Sequence, residues 1–261
     1  MNTKIGKSVL IRVTENVATV TLNRPEVVNA IDENTRSDLK EIFTNIQASD
    51  DIKAVILTGD RDNFCGGSEV TSMQDISTSL AMEQMRNVRH TAMAIAACNK
   101  PIIAAVEGHA AGAGIGLALL CDKIIASKKS KFTFSFSRIG LGPEWGLSVT
   151  LPDRIGRIRA RNLLWNAQKM SARSALEIGL IDETCIPGGA LDCAWVEAKM
   201  LANKAALAVQ GTKFLTRIPL DELRAALDNE AVSQAACVSS EDFSNRIEVF
   251  KNRRRQKTEI E

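Results

Sequence analysis

Pro101-Ile102-Ile103-Ala104-Ala105-Val106-Glu107-Gly108-His109-Ala110-Ala111-Gly112-Ala113-Gly114-Ile115-Gly116-Leu117-Ala118-Leu119-Leu120-Cys121-Asp122 decides the fold class. Residues 102–106 form an unbroken apolar run, the pattern of a strand covered on both faces. The glycine-rich turn then runs straight into a tightly packed helix from Leu117. Toward the N-terminus, Pro101 ends an amphipathic helical stretch at 76–97, because proline disfavours α geometry in the residue before it. Before that helix come a hairpin (9–13 and 18–22, turning at Glu15-Asn16) and a helix at 31–49 with Leu39, Ile42, Phe43 and Ile46 on one face. Asp32 is placed to cap that helix. A short buried strand at 54–57 leads to the loop Phe64-Cys65-Gly66-Gly67-Ser68-Glu69. Toward the C-terminus, 123–126 reads as a strand and 131–136 as a half-buried one. Residues 140–146 read as a loop, and 157–167 and 171–178 as helices, the second capped by Ser171. Helical patterns at 190–208, 220–236 and 240–256 follow with no convincing strand. The expectation is a mixed α/β core followed by a helical C-terminal region.

The 261 residues suffice for one or two domains with a sizeable core. Lys plus Arg is 33 and Asp plus Glu is 31, giving a net charge of +2. With no Tyr and three Trp, this balance excludes a general nucleic-acid binder that stacks bases. Six Cys form no CxxC pair, and the two His, His90 and His109, stand far apart, so no metal site and no disulfide framework is expected. No apolar run is long enough to span a bilayer, and the first residues show no secretory pattern. A cytoplasmic, non-membrane protein is expected. The order GxGxxG is missing from the glycine-rich turn, and GxSxG and GK[ST] are absent, so a dinucleotide fold, a hydrolase elbow and a P-loop are unsupported. The glycines leave two readings open. They let a helix lie close against a strand, or they expose N–H groups that stabilise charge on a carbonyl oxygen.

A set of segments in order carries a resemblance. They are Leu22-Asn23-Arg24-Pro25 with Asn29-Ala30, Phe64-Cys65-Gly66-Gly67-Ser68, the 101–122 stretch, Ile139-Gly140-Leu141-Gly142-Pro143, Leu151-Pro152, and Ala175-Leu176-Glu177-Ile178-Gly179-Leu180. Together they resemble the crotonase superfamily of enoyl-CoA hydratases and isomerases, nearer its single-carboxylate isomerases than its true hydratases. The resemblance implies an α/β spiral of ββα repeats over 1–195. It implies a helical region over 196–261 that builds a homotrimer, or a dimer of trimers, and closes the CoA pocket. The ligand implied is an acyl-CoA thioester, with no cofactor besides the CoA of the substrate. Backbone N–H groups of Gly66 and Ala113 are expected to form the oxyanion hole. Phe136, Trp145, Gly116 and Cys65 are expected to line the acyl pocket, with Cys65 a small lining residue and not a nucleophile. Val28, Ala30, Ser68, Phe250 and Lys251 are expected at the CoA, and Glu69 matches the acidic residue that usually follows the first hole segment.

The pattern also breaks. The two glutamates that hold the hydratases' catalytic water are matched here by Gly116 and Phe136, neither of which can move a proton. Glu144, in Gly142-Pro143-Glu144-Trp145-Gly146, remains. Dienoyl-CoA isomerases and the ring-epoxide isomerases of phenylacetate breakdown carry an aspartate there. Chlorobenzoyl-CoA dehalogenases carry a nucleophilic carboxylate there, with an aromatic residue and a glycine at the positions of Phe136 and Gly116. The expected function is a double-bond shift through an enolate with Glu144 as single acid/base. The alternatives are a hydrolase or dehalogenase, an atypical hydratase, and a catalytically inactive CoA-ester binder. His109 is expected to pack and His90 to be structural or at the surface. The basic tail at 251–257 is read as a solvated helix end or as a contact for the CoA phosphates.

Overall fold

The computed structural model describes residues 8–74 and 76–258, apart from the side chains of Ser72 and 253–258. The chain enters through a hairpin of β1 (Val9–Thr14) and β2 (Val17–Leu22), in which Thr14 pairs with Val17. The two-residue turn takes left-handed φ values of 46° at Glu15 and 65° at Asn16, matching the strands' twist. Helix α1 (Glu33–Ala48) starts where the Asp32 carboxylate accepts the Thr35 N–H at 2.7 Å. Next come β3 (Ala54–Gly59), α2 (Thr78–Ala97) capped by Ser77, β4 (Ile102–Val106), β5 (His109–Ala111) and α3 (Ala113–Leu119). They are followed by β6 (Lys123–Ser127), β7 (Lys131–Thr133), α4 (Leu147–Ile155), α5 (Arg157–Trp165), β8 (Lys169–Ser171), α6 (Ala172–Glu177) and β9 (Glu183–Cys185). Four helices close the chain: α7 (Ala190–Ala202), α8 (Ala206–Thr216), α9 (Leu220–Val238) and α10 (Glu241–Thr258).

A six-stranded sheet in the order β1-β2-β3-β4-β6-β9, parallel from β2 onward, forms the frame. Alternation along its strands divides the core in two. Val55, Leu57, Ile102, Ala104, Val106 and Ile124 face α1 and α2. Ala54, Ile56, Ile103, Ala105 and Ile125 face the alanines at 190, 194, 198 and 202 of α7, a one-residue-per-turn stripe that lets the helix lie close on the sheet. The boundary expected at 195/196 therefore falls inside a helix that belongs to the sheet's packing. A second sheet, β5-β7-β8, stands beside the first.

Three expectations need correction. The strand expected at 131–136 stops at Thr133. The helical pattern at 190–208 divides at 203–205 into α7 and α8. Helix α4, with Pro152 inside it, did not stand out in the sequence, and neither did the short strands β8 and β9. Among the described residues no helix is long and apolar enough to cross a membrane.

Candidate active site

Two loops meet beside α3. Cys65 is sewn to β5, donating its N–H to His109 O at 2.9 Å and accepting from the Ala111 N–H at 2.9 Å. Two residues on, Ile31 donates to Gly67 O at 2.8 Å and accepts from the Glu69 N–H at 3.0 Å. That parallel bridge uses the peptide groups on either side of Ser68 and leaves the Ser68 N–H turned away from Ile31. Ala113 opens α3, where the first N–H groups have no acceptor within the helix. Among the described residues nothing accepts from the N–H of Ser68 or of Ala113. The intervening Gly67, at φ 104°, would place a Cβ 2.9 Å from Ala111 O and 3.7 Å from Ala113 N, so the approach of the two loops requires glycine.

The expectation for Gly66 is corrected. Its N–H donates to Val28 O at 2.8 Å and is not open to a ligand. Ser68 is also reassigned. Its hydroxyl, expected at the CoA, donates instead to Glu144 Oε1 at 2.6 Å.

Glu144 sits in a loop with left-handed residues at Gly140, Trp145 and Gly146, at φ values of 76°, 62° and 77°. It is only 2% exposed, and Oε2 has no hydrogen-bond partner among the described residues. Burial raises its proton affinity above the usual carboxylate range, while the Ser68 hydroxyl, the Arg36 charge and the Gln234 amide pull it back. The Gln234 amide acts here without closing a hydrogen bond, since Gln234 Nε2 is unpartnered too. Trp145 is wholly buried. A Cβ on Gly116 would stand 2.6 Å from Trp145 Cβ and 3.1 Å from Glu144 O, so the indole and its loop occupy the space that a side chain at 116 would need. The Phe136 ring lies 3.8 Å from where a Cβ of Gly112 would be, over the start of α3. Cys65 is fully buried, and burial together with the Glu144 charge pushes its thiol up to about 12, which keeps it neutral.

The Ala30 carbonyl accepts from Arg24 at 2.8 Å, and Arg24 pairs with Asp32 at 3.2 Å and Glu69 at 3.1 Å, bracing the 24–32 turn against the hole loop. Phe250 packs in the cluster that contains Met73, and Lys251 Nζ donates to the Gln74 side chain, so α10 meets the turn that follows the hole loop. The side chains of Arg253, Arg254 and Arg255 lie outside the described residues. His90 and His109 are both exposed, which corrects the packing role expected of His109.

Two residues were not anticipated. On α9, Glu230 accepts the Gly146 N–H through Oε2 and the Ser148 N–H through Oε1, each at 2.8 Å. One turn on, Gln234 Oε1 accepts the Gly142 N–H at 2.9 Å. Burial and the neighbouring Glu144 charge push Glu230 up to about 7, against the pull of its three contacts with Gly146 and Ser148. The signal in the sequence is an i, i+4 pair of long polar residues inside the apolar stripe of Leu223, Leu227, Ala231 and Ala235.

Residues 12–259 match the family model described as enoyl-CoA hydratase/isomerase. The chain is 32% identical to the 1,2-epoxyphenylacetyl-CoA isomerase of Escherichia coli over 247 residues, covering 93% of this chain and 94% of the relative. It is 34% identical to the (E)-benzylidenesuccinyl-CoA hydratase of Thauera aromatica over 212 residues, covering 78% and 80%. The crystal structure of an enoyl-CoA hydratase/isomerase from Pseudoalteromonas atlantica superposes with a TM-score of 0.86 at 29% identity, covering 95% of this chain and 98% of that one. Hydratases and isomerases both stand among these relatives, so similarity alone does not favour the isomerase branch.

Proposed function

From the premise that the chain belongs to the enoyl-CoA hydratase/isomerase family, with the crotonase-like spiral that goes with it, we propose that it is an acyl-CoA isomerase working through one carboxylate. The carrying observation is that Glu144, buried and held by the Ser68 hydroxyl, lies beside two N–H groups without protein acceptors. Those N–H groups belong to Ser68 and Ala113, and they are the donors assigned to the thioester oxygen.

In a 3-enoyl thioester, ionised Glu144 takes a proton from C2. The C–H electron pair spreads onto the thioester oxygen, where the Ser68 and Ala113 N–H groups meet the developing charge in a site with little water. The dienolate collapses as Glu144 returns the proton to C4, leaving the double bond between C2 and C3 and Glu144 ionised again. The shift is redox-neutral and consumes no water. A carboxylate whose proton affinity is raised by burial is a stronger base than one in water, which suits abstraction from carbon. The two-glutamate hydration route lacks both of its groups, since Gly116 has no side chain and Phe136 cannot carry a proton.

The direct test follows 2-enoyl-CoA absorbance with 3-enoyl- and dienoyl-CoA substrates. Glu144→Gln is expected to lower kcat by about 10²–10⁴ while keeping CoA-ester binding. Turnover unaffected by that substitution, or CoA-ester binding with no isomerisation across the panel, refutes the reading.

A further inference from the structure

Building on the reading of Glu144 as the proton-moving group, we propose that Glu230 is a positioning residue for it, gripping from α9 the loop that presents the carboxylate to Ser68. The loop between Phe136 and α4 closes on itself mainly at its start, where Ile139 and Leu141 donate to Phe136 O at 3.0 Å and Gly140 to Ser137 O at 3.4 Å; beyond Leu141 comes Leu147, donating to Glu144 O at 3.3 Å. The N–H groups of Gly142, Gly146 and Ser148 all donate to α9. Glu144 is thus bracketed, by Gln234 two residues before it and by Glu230 two and four residues after it.

The bracket encloses the residues whose backbone is least able to hold itself. Trp145 is in the left-handed region at φ 62°, which a side chain bearing a Cβ keeps only where its surroundings over-determine it. A Cβ on Gly146 would stand 2.6 Å from Leu223 Cδ1 of the same helix, so the loop lies directly on α9. Glu230 also serves as an N-terminal cap for α4, meeting its open N–H groups with a carboxylate. A carboxylate is needed because each oxygen serves one N–H. An amide at 230 presents one acceptor oxygen and sets its own NH₂ against the second donor.

Among the described residues Glu230 and Gln234 make no hydrogen bond to the expected CoA contacts Val28, Ala30 or Lys251, and α10 meets the loop at Gly140 and Leu141, ahead of the bracket. The effect should therefore fall on the chemical step. Two readouts separate the possibilities. The first is hydrogen–deuterium exchange of peptides covering 140–150, with peptides covering 102–106 as the reference, which needs no substrate. The second is the split between kcat and KM for whichever acyl-CoA the protein turns over. Glu230→Gln is expected to remove exchange protection from 140–150 while leaving 102–106 protected. It should lower kcat by about tenfold to a hundredfold with KM changed by less than about threefold, as expected when a reacting group is misplaced. Gln234→Ala, which frees only Gly142, gives the same pattern at smaller size and carries the test if Glu230→Gln does not fold. Unchanged protection at 140–150 in the folded variants overturns the grip. Lost protection with unchanged kcat overturns the positioning role. Lost protection in a protein that turns over no acyl-CoA supports the grip and sinks only the isomerase reading.

Discussion

The Ser68 hydroxyl donates to Glu144 Oε1 at 2.6 Å, while the Ser68 N–H is left without a protein acceptor. One residue therefore holds the carboxylate through its side chain and offers a donor through its backbone, and substitution can separate the two. Ser68→Ala keeps the N–H and removes a contact that favours ionised Glu144. A charge-assisted hydrogen bond contributes about 1.5–3 kcal/mol, so kcat/KM is expected to fall by about tenfold to a hundredfold. The acid limb of the pH–rate profile should move to higher pH. A limb that stays in place shows that Ser68 does not tune Glu144.

Both buried carboxylates have raised proton affinities in the folded chain, Glu230 to about 7. The unfolded chain holds these protons less tightly, so the stabilisation present at lower pH is lost as pH rises through the folded values. The thermal midpoint is expected to fall as pH rises from about 4.5, the ordinary carboxylate value, to about 7, and to fall less steeply in Glu230→Gln. His90 and His109, held below their ordinary value of 6.5, act in the opposite sense within this window but equally in both proteins, so the difference between the two slopes isolates Glu230. Scanning calorimetry across the range checks the slope, and parallel curves for the two proteins contradict the assignment to Glu230.

Gly116→Ala places a methyl group 2.6 Å from Trp145 Cβ inside a fully packed region. Overpacking of this kind costs about 1–3 kcal/mol. For a chain of this size, that is a fall in the thermal midpoint of about 2–4 °C per kcal/mol. Activity should fall with it, because displacing Trp145 moves Glu144. A variant as stable and as active as the parent shows that the loop yields freely.

Much of the fold was legible because its signals are local. The β4 run, the Asp32 cap, the face of α1 and the proline after α2 each act within a few residues, and each stands where expected. Helix α4 and the positioning of Glu144 were not legible, because their partners are distant. Glu230 lies 84 residues from Gly146, and Gln234 lies 92 from Gly142. The candidate hole donors depended on backbone direction. A glycine looked the better donor at 66, yet pairing with Val28 closes that N–H, and pairing with Ile31 opens the one at Ser68. A side chain at 68 is no obstacle, since its hydroxyl turns to Glu144.

Apolar side chains on the C-terminal helices are left in the open: Leu207 is 84% exposed, Leu215 81% and Phe214 67%. Val196 and Met200 of α7 are exposed as well, and apolar side chains left open in this number are of the kind that self-association covers. Sedimentation at micromolar concentration is expected to give a trimer or a dimer of trimers, and Leu207→Asp with Phe214→Asp to shift it toward monomer. A monomeric parent protein contradicts the assembly.

The bonds from α9 to Gly142, Gly146 and Ser148 also set an order of events during synthesis. The sheet, its alanine-striped helix and both loops at the N–H pair are complete in sequence well before Gln234 is made. A ribosome-bound chain that ends ahead of α9 lacks the acceptors for three N–H groups of the Glu144 segment, and it lacks Leu223, Leu227 and Ala231 from the main core. The Glu144 segment is therefore fixed late, when α9 leaves the exit tunnel.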